Sequence, residues 1–154
     1  MADSIRRVIL DAMNTQLALI TTANSYETNI GNNINEKRDL ESNPYQESES
    51  PALNYDYSVA TTDITGLKQE HIISISAEIA VSNTDIPDML DKAVSDVIKN
   101  LGTTDNLGNT NVEMIAAVQV EEGEESHKER KIGTVGVSWQ VYYSTNRNDP
   151  YSNS

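Results

Sequence analysis

Cysteine is absent from the 154 residues, which excludes a disulfide framework, a thiolate nucleophile and any zinc site built on cysteine. Histidine is scarce. His71 and His127 have no second histidine at ligand spacing near either, so each reads as a solvated or locally paired side chain rather than a catalyst or metal ligand. Positive charge is also short: 11 Lys and Arg against 24 Asp and Glu leave a formal net charge of −13. Gripping nucleic acid or an anionic membrane demands cationic patches, so the acidity points to solubility and mutual repulsion. No stretch approaches the ~18 unbroken apolar residues of a membrane span. Arg6 and Arg7 lie near the start, but Asp11 and Asn14 interrupt the apolar run a signal peptide needs. No Asn-x-Ser/Thr acceptor occurs. The expectation is a chain made in the cytosol, without targeting or anchoring segments.

What is present is organised around residues 69–102. Ile73, Ile75, Ala77, Ile79 and Val81 alternate with Ile72, Ser74, Ser76, Glu78 and Ala80, the period of two of a half-buried strand. From Asp85 the period changes. Ile86, Met89, Leu90, Ala93, Val94, Val97, Ile98 and Leu101 make one apolar helical stripe, with Asp88, Asp91, Lys92, Asp96 and Lys99 away from it. Asp85 suits the cap, Pro87 the first turn, and Gly102 a left-handed residue after the last turn.

An opening helix is predicted from Ile5, Val8, Ile9, Ala12, Met13, Leu17 and Ile20, capped by Asp3 or Ser4 and lying beside the central helix. Its Arg6 and Arg7 read as a solvated end. Tyr26, Thr28 and Ile30 suggest a short strand over 25–30, and residues 31–50 a long polar loop that is functional or disordered. Pro51 opens a strand over 52–60 with Leu53, Tyr55, Tyr57 and Val59 on one side. Those tyrosines are either strand packing or a contact surface for another chain. Residues 63–66 are predicted as a turn, and 103–111 as a loop. Val112, Met114, Ala116, Val118 and Val120 then alternate as a strand. The charge changes sign within one hairpin tip over 121–131: Glu121, Glu122, Glu124 and Glu125, then Lys128, Arg130 and Lys131. The last strand, over 132–144, places Val135, Val137, Trp139, Val141 and Tyr143 together, with Gly133 and Gly136 allowing a bulge or a close approach. The tail from 145 is expected to fray. Length and pattern together predict one α+β domain, a mostly antiparallel sheet with two helices packed on one face.

Catalytic constellations are thin. Gly136-Val137-Ser138-Trp139 is not the Gly-x-Ser-x-Gly elbow, and it sits within a strand. Asp105, Asn109, Asn111 and Glu113 supply oxygens, but glycine falls at Gly108 and Leu107 stands where a calcium loop needs a ligand. Gly133-x-x-Gly136 lacks the strand-to-helix setting of a phosphate cradle. The paired glutamates of the hairpin tip have no burial to separate their pKa values. No cofactor, metal or catalytic residue is assigned.

Taken together, the opening helix over 5–20, the strand Pro51-Ala52-Leu53-Asn54-Tyr55-Asp56-Tyr57, the capped helix over 86–101 and the closing hairpin ending Trp139-Gln140-Val141-Tyr142-Tyr143 resemble the tail terminator (tail completion, minor tail protein U-like) family of tailed bacteriophages. The likeness spans about residues 4–144. The resemblance implies a non-enzymatic virion protein at the tail–neck junction, assembled in the host cytoplasm. Such a protein is a ring, typically of six subunits, that caps the head-proximal end of the tail tube, stops its polymerisation and joins the tail to the neck. The implied partners are further copies of itself, the tail tube protein and a neck (stopper) protein. DNA crosses the lumen without specific binding, and no membrane is involved. In a cyclic ring one patch meets a different patch of the next subunit. The expected patches are the 31–50 loop, including Tyr45, with Tyr55 and Tyr57 on one side, and residues 121–131 on the other, where mixed charge would set register. Competing readings are another neck component, such as a stopper or head-completion protein, or a monomeric protein-binding module.

Overall fold

The predicted α+β architecture is the one the chain adopts. A computed structural model describes residues 3–82, 85–121, 125–127 and 131–152, with backbone alone at 63–65, 117, 125–127 and 131. Helix α1 is Ile5–Leu17 and α2 is Ile86–Gly102; the strands are β1 Ile34–Glu36, β2 Ala52–Thr65, β3 Lys68–Ser82, β4 Val112–Glu121, β5 Glu125–His127 and β6 Lys131–Asn146. Sheet order is β1-β2-β3-β6-β4, with β5 also paired to β6. Among the described residues, only the β1–β2 pair is parallel.

Register aligns the apolar positions of neighbouring strands. Leu53, Ile79 and Val135 lie side by side, as do Tyr57, Ile75 and Trp139, and Val59, Ile73 and Val141. Because side chains alternate across a strand, these rows share one face. That face, with Ile5, Ile9, Leu10, Met13 and Leu17 of α1 and Ala93, Val97 and Leu101 of α2, forms one buried cluster. The helices reach it through their stripes. Ser4 caps α1 by accepting from the Arg7 amide at 3.2 Å. The opposite face carries Asp56, Ser58, Ser74, Ser76 and Ser138, and no helix covers it among the described residues.

Several local expectations are corrected. Residues 25–30 form no strand; 3₁₀ turns at Thr22–Asn24 and Ile30–Asn33 replace it, and the strand comes later, at Ile34–Glu36. Gly31 explains part of this. Its amide donates to the Ile20 carbonyl at 2.8 Å, and a Cβ there would lie 2.6 Å from that oxygen, so any side chain would push the backbone segments apart. Asp96 is not on an outer face of α2 but 3% exposed. It accepts from the Glu27 amide (3.1 Å), the Thr28 amide (2.8 Å) and the Thr28 hydroxyl (2.7 Å), tying the 3₁₀ region to the helix. Ile98, placed on the apolar stripe, is exposed.

Asp85 occupies the cap position without a side-chain cap bond, and Gly102 lies inside α2, which ends at right-handed Thr103. Strand β2 continues through Thr65, so the turn narrows to Gly66 and Leu67. The Ile86 side chain of α2 packs directly over Gly133, the close approach its lack of a Cβ permits. The tail does not fray through Ser152: β6 runs to Asn146, Thr145 is buried, the Asn146 amide donates to Ser152 O at 2.7 Å, and the Ile5 amide to Pro150 O at 2.9 Å.

Strand β4 departs most from its expected pattern. Register shifts fall between Val112 and Met114 and between Ala116 and Gln119. The first puts Ile115 opposite Val141 and turns Met114 outward. Val112 is buried and Ile115 packs on the core, while Met114, Val118 and Val120 are exposed.

Candidate assembly surfaces

The polar loop over 37–50 is organised by one side chain. Arg38 donates from Nη1 to Glu49 Oε2 at 2.6 Å and from Nη2 to Glu49 Oε1 at 3.1 Å, the paired geometry a guanidinium offers a carboxylate. It also donates to the carbonyls of Asn43 (3.0 Å) and Pro44 (3.0 Å). Its guanidinium lies over the Tyr45 ring, 4.7 Å from the centroid. The loop is then stitched to the sheet: Arg38 N donates to Asn54 Oδ1, Asn54 Nδ2 to Arg38 O, and the Ser82 amide to Ser50 Oγ. Hydrogen bonds from Arg38 hold Glu49 down at about 2, well below the usual carboxylate range, and burial pushes Tyr45 up to about 12. Tyr45 is half-buried and packs under the Arg38 guanidinium of its own loop.

Tyr55 is corrected more sharply. At 1% exposure it cannot offer its ring to a neighbour. Its hydroxyl lies 2.7 Å from Asn14 Oδ1 and 2.8 Å from Glu36 Oε1. One hydroxyl hydrogen cannot serve both, so the Asn14 amide is best turned to give its NH₂ to the phenol while Glu36 takes the proton. Glu36 also accepts from Arg7 at 2.7 and 3.0 Å. Those bonds hold its carboxyl below the ordinary range, and burial pushes the Tyr55 phenol up. Arg7, expected to be solvated, is thus the pin between α1 and β1. Tyr57 is half-buried under Lys37, whose ammonium lies 4.1 Å from the ring centroid.

On the other expected patch, Glu121 is exposed and pairs across the strand with Gly136. It shares a groove of about 480 Å³ with Lys37, Arg38, Asn54 and Glu78 on the uncovered sheet face. The structure thus brings Glu121 near the polar loop of its own chain. Glu125 and Lys131 belong to strands, Glu125 opposite Gly133 and Lys131 opposite His127. The tip is therefore shorter than 121–131. Glu122, Glu124, Lys128 and Arg130 lie outside the described residues.

His71 is not solvated. Its two ring nitrogens each lie 2.8 Å from a hydroxyl, Nδ1 from Thr61 and Nε2 from Thr145, and its ring stacks on Tyr143 at 4.7 Å. Burial, with Arg6 nearby, holds its pKa below the ordinary value. A neutral imidazole fits, donating at one nitrogen and accepting at the other. Arg6, Gln69 and Asp149 join it around a cleft of about 340 Å³. No group of three or more acidic or histidine side chains could hold a metal ion among the described residues, nor is any helix there long and apolar enough to cross a membrane.

The surface that sequence reasoning missed lies at the free edge. Ile98, Leu101, Met114 and Val118, together with Asp105 and Glu113, line a groove of about 470 Å³ between the end of α2 and β4. Leu67, at the β2–β3 turn, is 80% exposed. A signal for the latter was present: a leucine directly after the turn glycine Gly66 has no core to enter.

Compared with known proteins, the chain matches no protein-family model and no curated sequence.

Proposed function

We propose that this chain is a structural virion protein of the tail terminator kind, a ring-forming subunit that caps the head-proximal end of a phage tail tube, ends its polymerisation and joins the tail to the neck. Supporting this is the order of elements on which the resemblance rests: an opening helix, a proline-led strand paired to the central strand, a second helix with Pro87 in its first turn and a long closing strand carrying Trp139 and Tyr143. The observation that carries the reading furthest is the contrast within one sheet. Helices cover one face, the other presents hydroxyls and carboxylates, and the β4 edge exposes apolar side chains. An apolar edge suits a neighbouring subunit. A polar, acidic surface suits a lumen through which DNA slides without specific grip, because like charges repel.

Electron microscopy with mass determination, on the protein mixed with purified tail tubes, tests this directly. Rings at one tube end with tube growth arrested are the expected result. Absence of association in every mixture would contradict it and favour a stopper or a monomeric binding module.

A further inference from the structure

We propose that the open edge of β2 over residues 57–63 is a docking site for an extended, non-acidic segment of another protein, which adds to the sheet as a strand in line with β1. This goes beyond the ring reading and stands without it.

The backbone names the occupant. Strand β2 pairs with β3 without a shift from Ala52 to Asp63, yet on its other side it is paired only at Leu53, Asn54 and Tyr55, to β1. Tyr55 O accepts from the Lys37 amide at 2.8 Å, so Tyr55 turns its backbone groups away from β3. Residues two apart on a strand turn theirs the same way, hence Tyr57, Val59 and Thr61 do so too. The Tyr57 amide donates to the Asp56 carboxylate at 2.7 Å. Among the described residues no hydrogen bond reaches the N–H or C=O of Val59 or Thr61. These donors and acceptors recur about every 7 Å along the edge, a spacing that an extended chain matches.

The slot is vacated by the chain itself. Strand β1 ends at Glu36, and Lys37, with φ +51°, turns the chain away from the sheet. Ser58, Ala60, Thr61 and Thr62 are exposed beyond that point. Natural sheet edges are guarded by brevity, bulges, charge or proline. Strand β1 is three residues long, and β4 carries two register shifts. Ser58-Val59-Ala60-Thr61-Thr62 has none of these guards. An unguarded, regular edge is what strand addition uses, with main-chain hydrogen bonds supplying the affinity.

Local charge does not select the added strand. Arg6 and Asp149 share the cleft beside Val59 and Thr61, and Lys37 lies 3.6 Å from Asp56. The whole chain, at −13, repels an acidic segment. Small and hydroxyl-bearing neighbours on both faces of the edge favour β-branched residues in the newcomer. A second copy is the weaker occupant: antiparallel pairing of two such edges about Ala60 sets Asp63 of each opposite Tyr57, next to Asp56, of the other.

The test titrates the full chain with the peptide acetyl-Lys-Thr-Val-Thr-Val-Thr-Lys-amide and with the same peptide N-methylated along its Thr and Val residues, in about 0.15 M salt to screen exposed charge. Saturable binding of the first peptide, with amide exchange at Val59 and Thr61 slowed several-fold, is expected, and the N-methylated peptide should not bind. Thr61→Pro should abolish binding, since proline at an outward N–H blocks the edge without removing a bond to β3. Thr61→Val keeps the N–H while losing the hydroxyl on His71, and should bind as the unaltered chain does. Where Thr61→Pro fails to fold, the N-methylated peptide decides. Absence of binding would overturn the proposal, as would equal binding of the N-methylated peptide or slowed exchange confined to β4. Protection of Val59 and Thr61 that rises with protein concentration in the absence of peptide would also overturn it, in favour of self-pairing.

Discussion

The two edges of the sheet end in opposite ways. At β1, a short parallel strand is held by charged and polar groups that satisfy one another: Arg7 with Glu36, Tyr55 with Asn14 and Glu36, Arg38 with Glu49. At β4, Met114, Val118 and Val120 are exposed, and Ile98 stands beside them on α2. The polar region, which looks like an arm for neighbours, is closed upon its own chain. The apolar region, which looks like core, is open.

If this contrast is right, damage at the closed side should cost stability and damage at the open side should cost association. The largest loss is expected from Asp96→Ala, which strands two amides and a hydroxyl on the approach to β1; about 3 kcal/mol should disappear from urea unfolding. An unchanged midpoint would show that the tie is dispensable. Tyr55→Phe removes only the hydroxyl and should cost about 1–2 kcal/mol by the same measurement.

Acid should loosen the closed side selectively. Glu36 and Glu49 are held below their unfolded-state value of 4.5, Glu49 near 2. The stability they contribute is therefore present above about pH 4.5 and fades as pH falls through the folded values. Melting temperature followed from pH 5 to 2 should drop, and Glu49→Gln should flatten part of that slope. The smallest effect is expected at the open edge: Met114→Ser with Val118→Ser should leave monomer unfolding within about 0.5 kcal/mol, since both side chains are already exposed.

Much of this fold was legible in the residues, because strict alternation over 71–81 and 135–143 and the helical stripes of α1 and α2 each have one burial solution. Where reading failed, long-range partners decided. Asp96 has an ordinary outward charge in a helical projection and is buried because Thr28 arrives from 68 residues away. Strand β4 alternates cleanly until two register shifts, invisible in its own letters, turn Met114 and Val118 outward. The loop over 37–50 is polar by composition, yet its order comes from a single arginine whose hydrogen-bonding partners Asn35, Asn43, Pro44, Glu49 and Asn54 no periodicity announces. The candidate surface was thus less legible than the fold: of the tyrosines nominated for contact, Tyr55 is core, while Tyr45 and Tyr57 are half-buried.

The most direct test of the central claim, that copies meet through the β4 edge and not through the polar loop, is the sedimentation mass of two charge variants under conditions where the unaltered chain assembles. Val118→Asp should remain monomeric, while Glu41→Arg, on the exposed surface of the loop, should assemble as before. Assembly of Val118→Asp together with a monomeric Glu41→Arg would contradict the account.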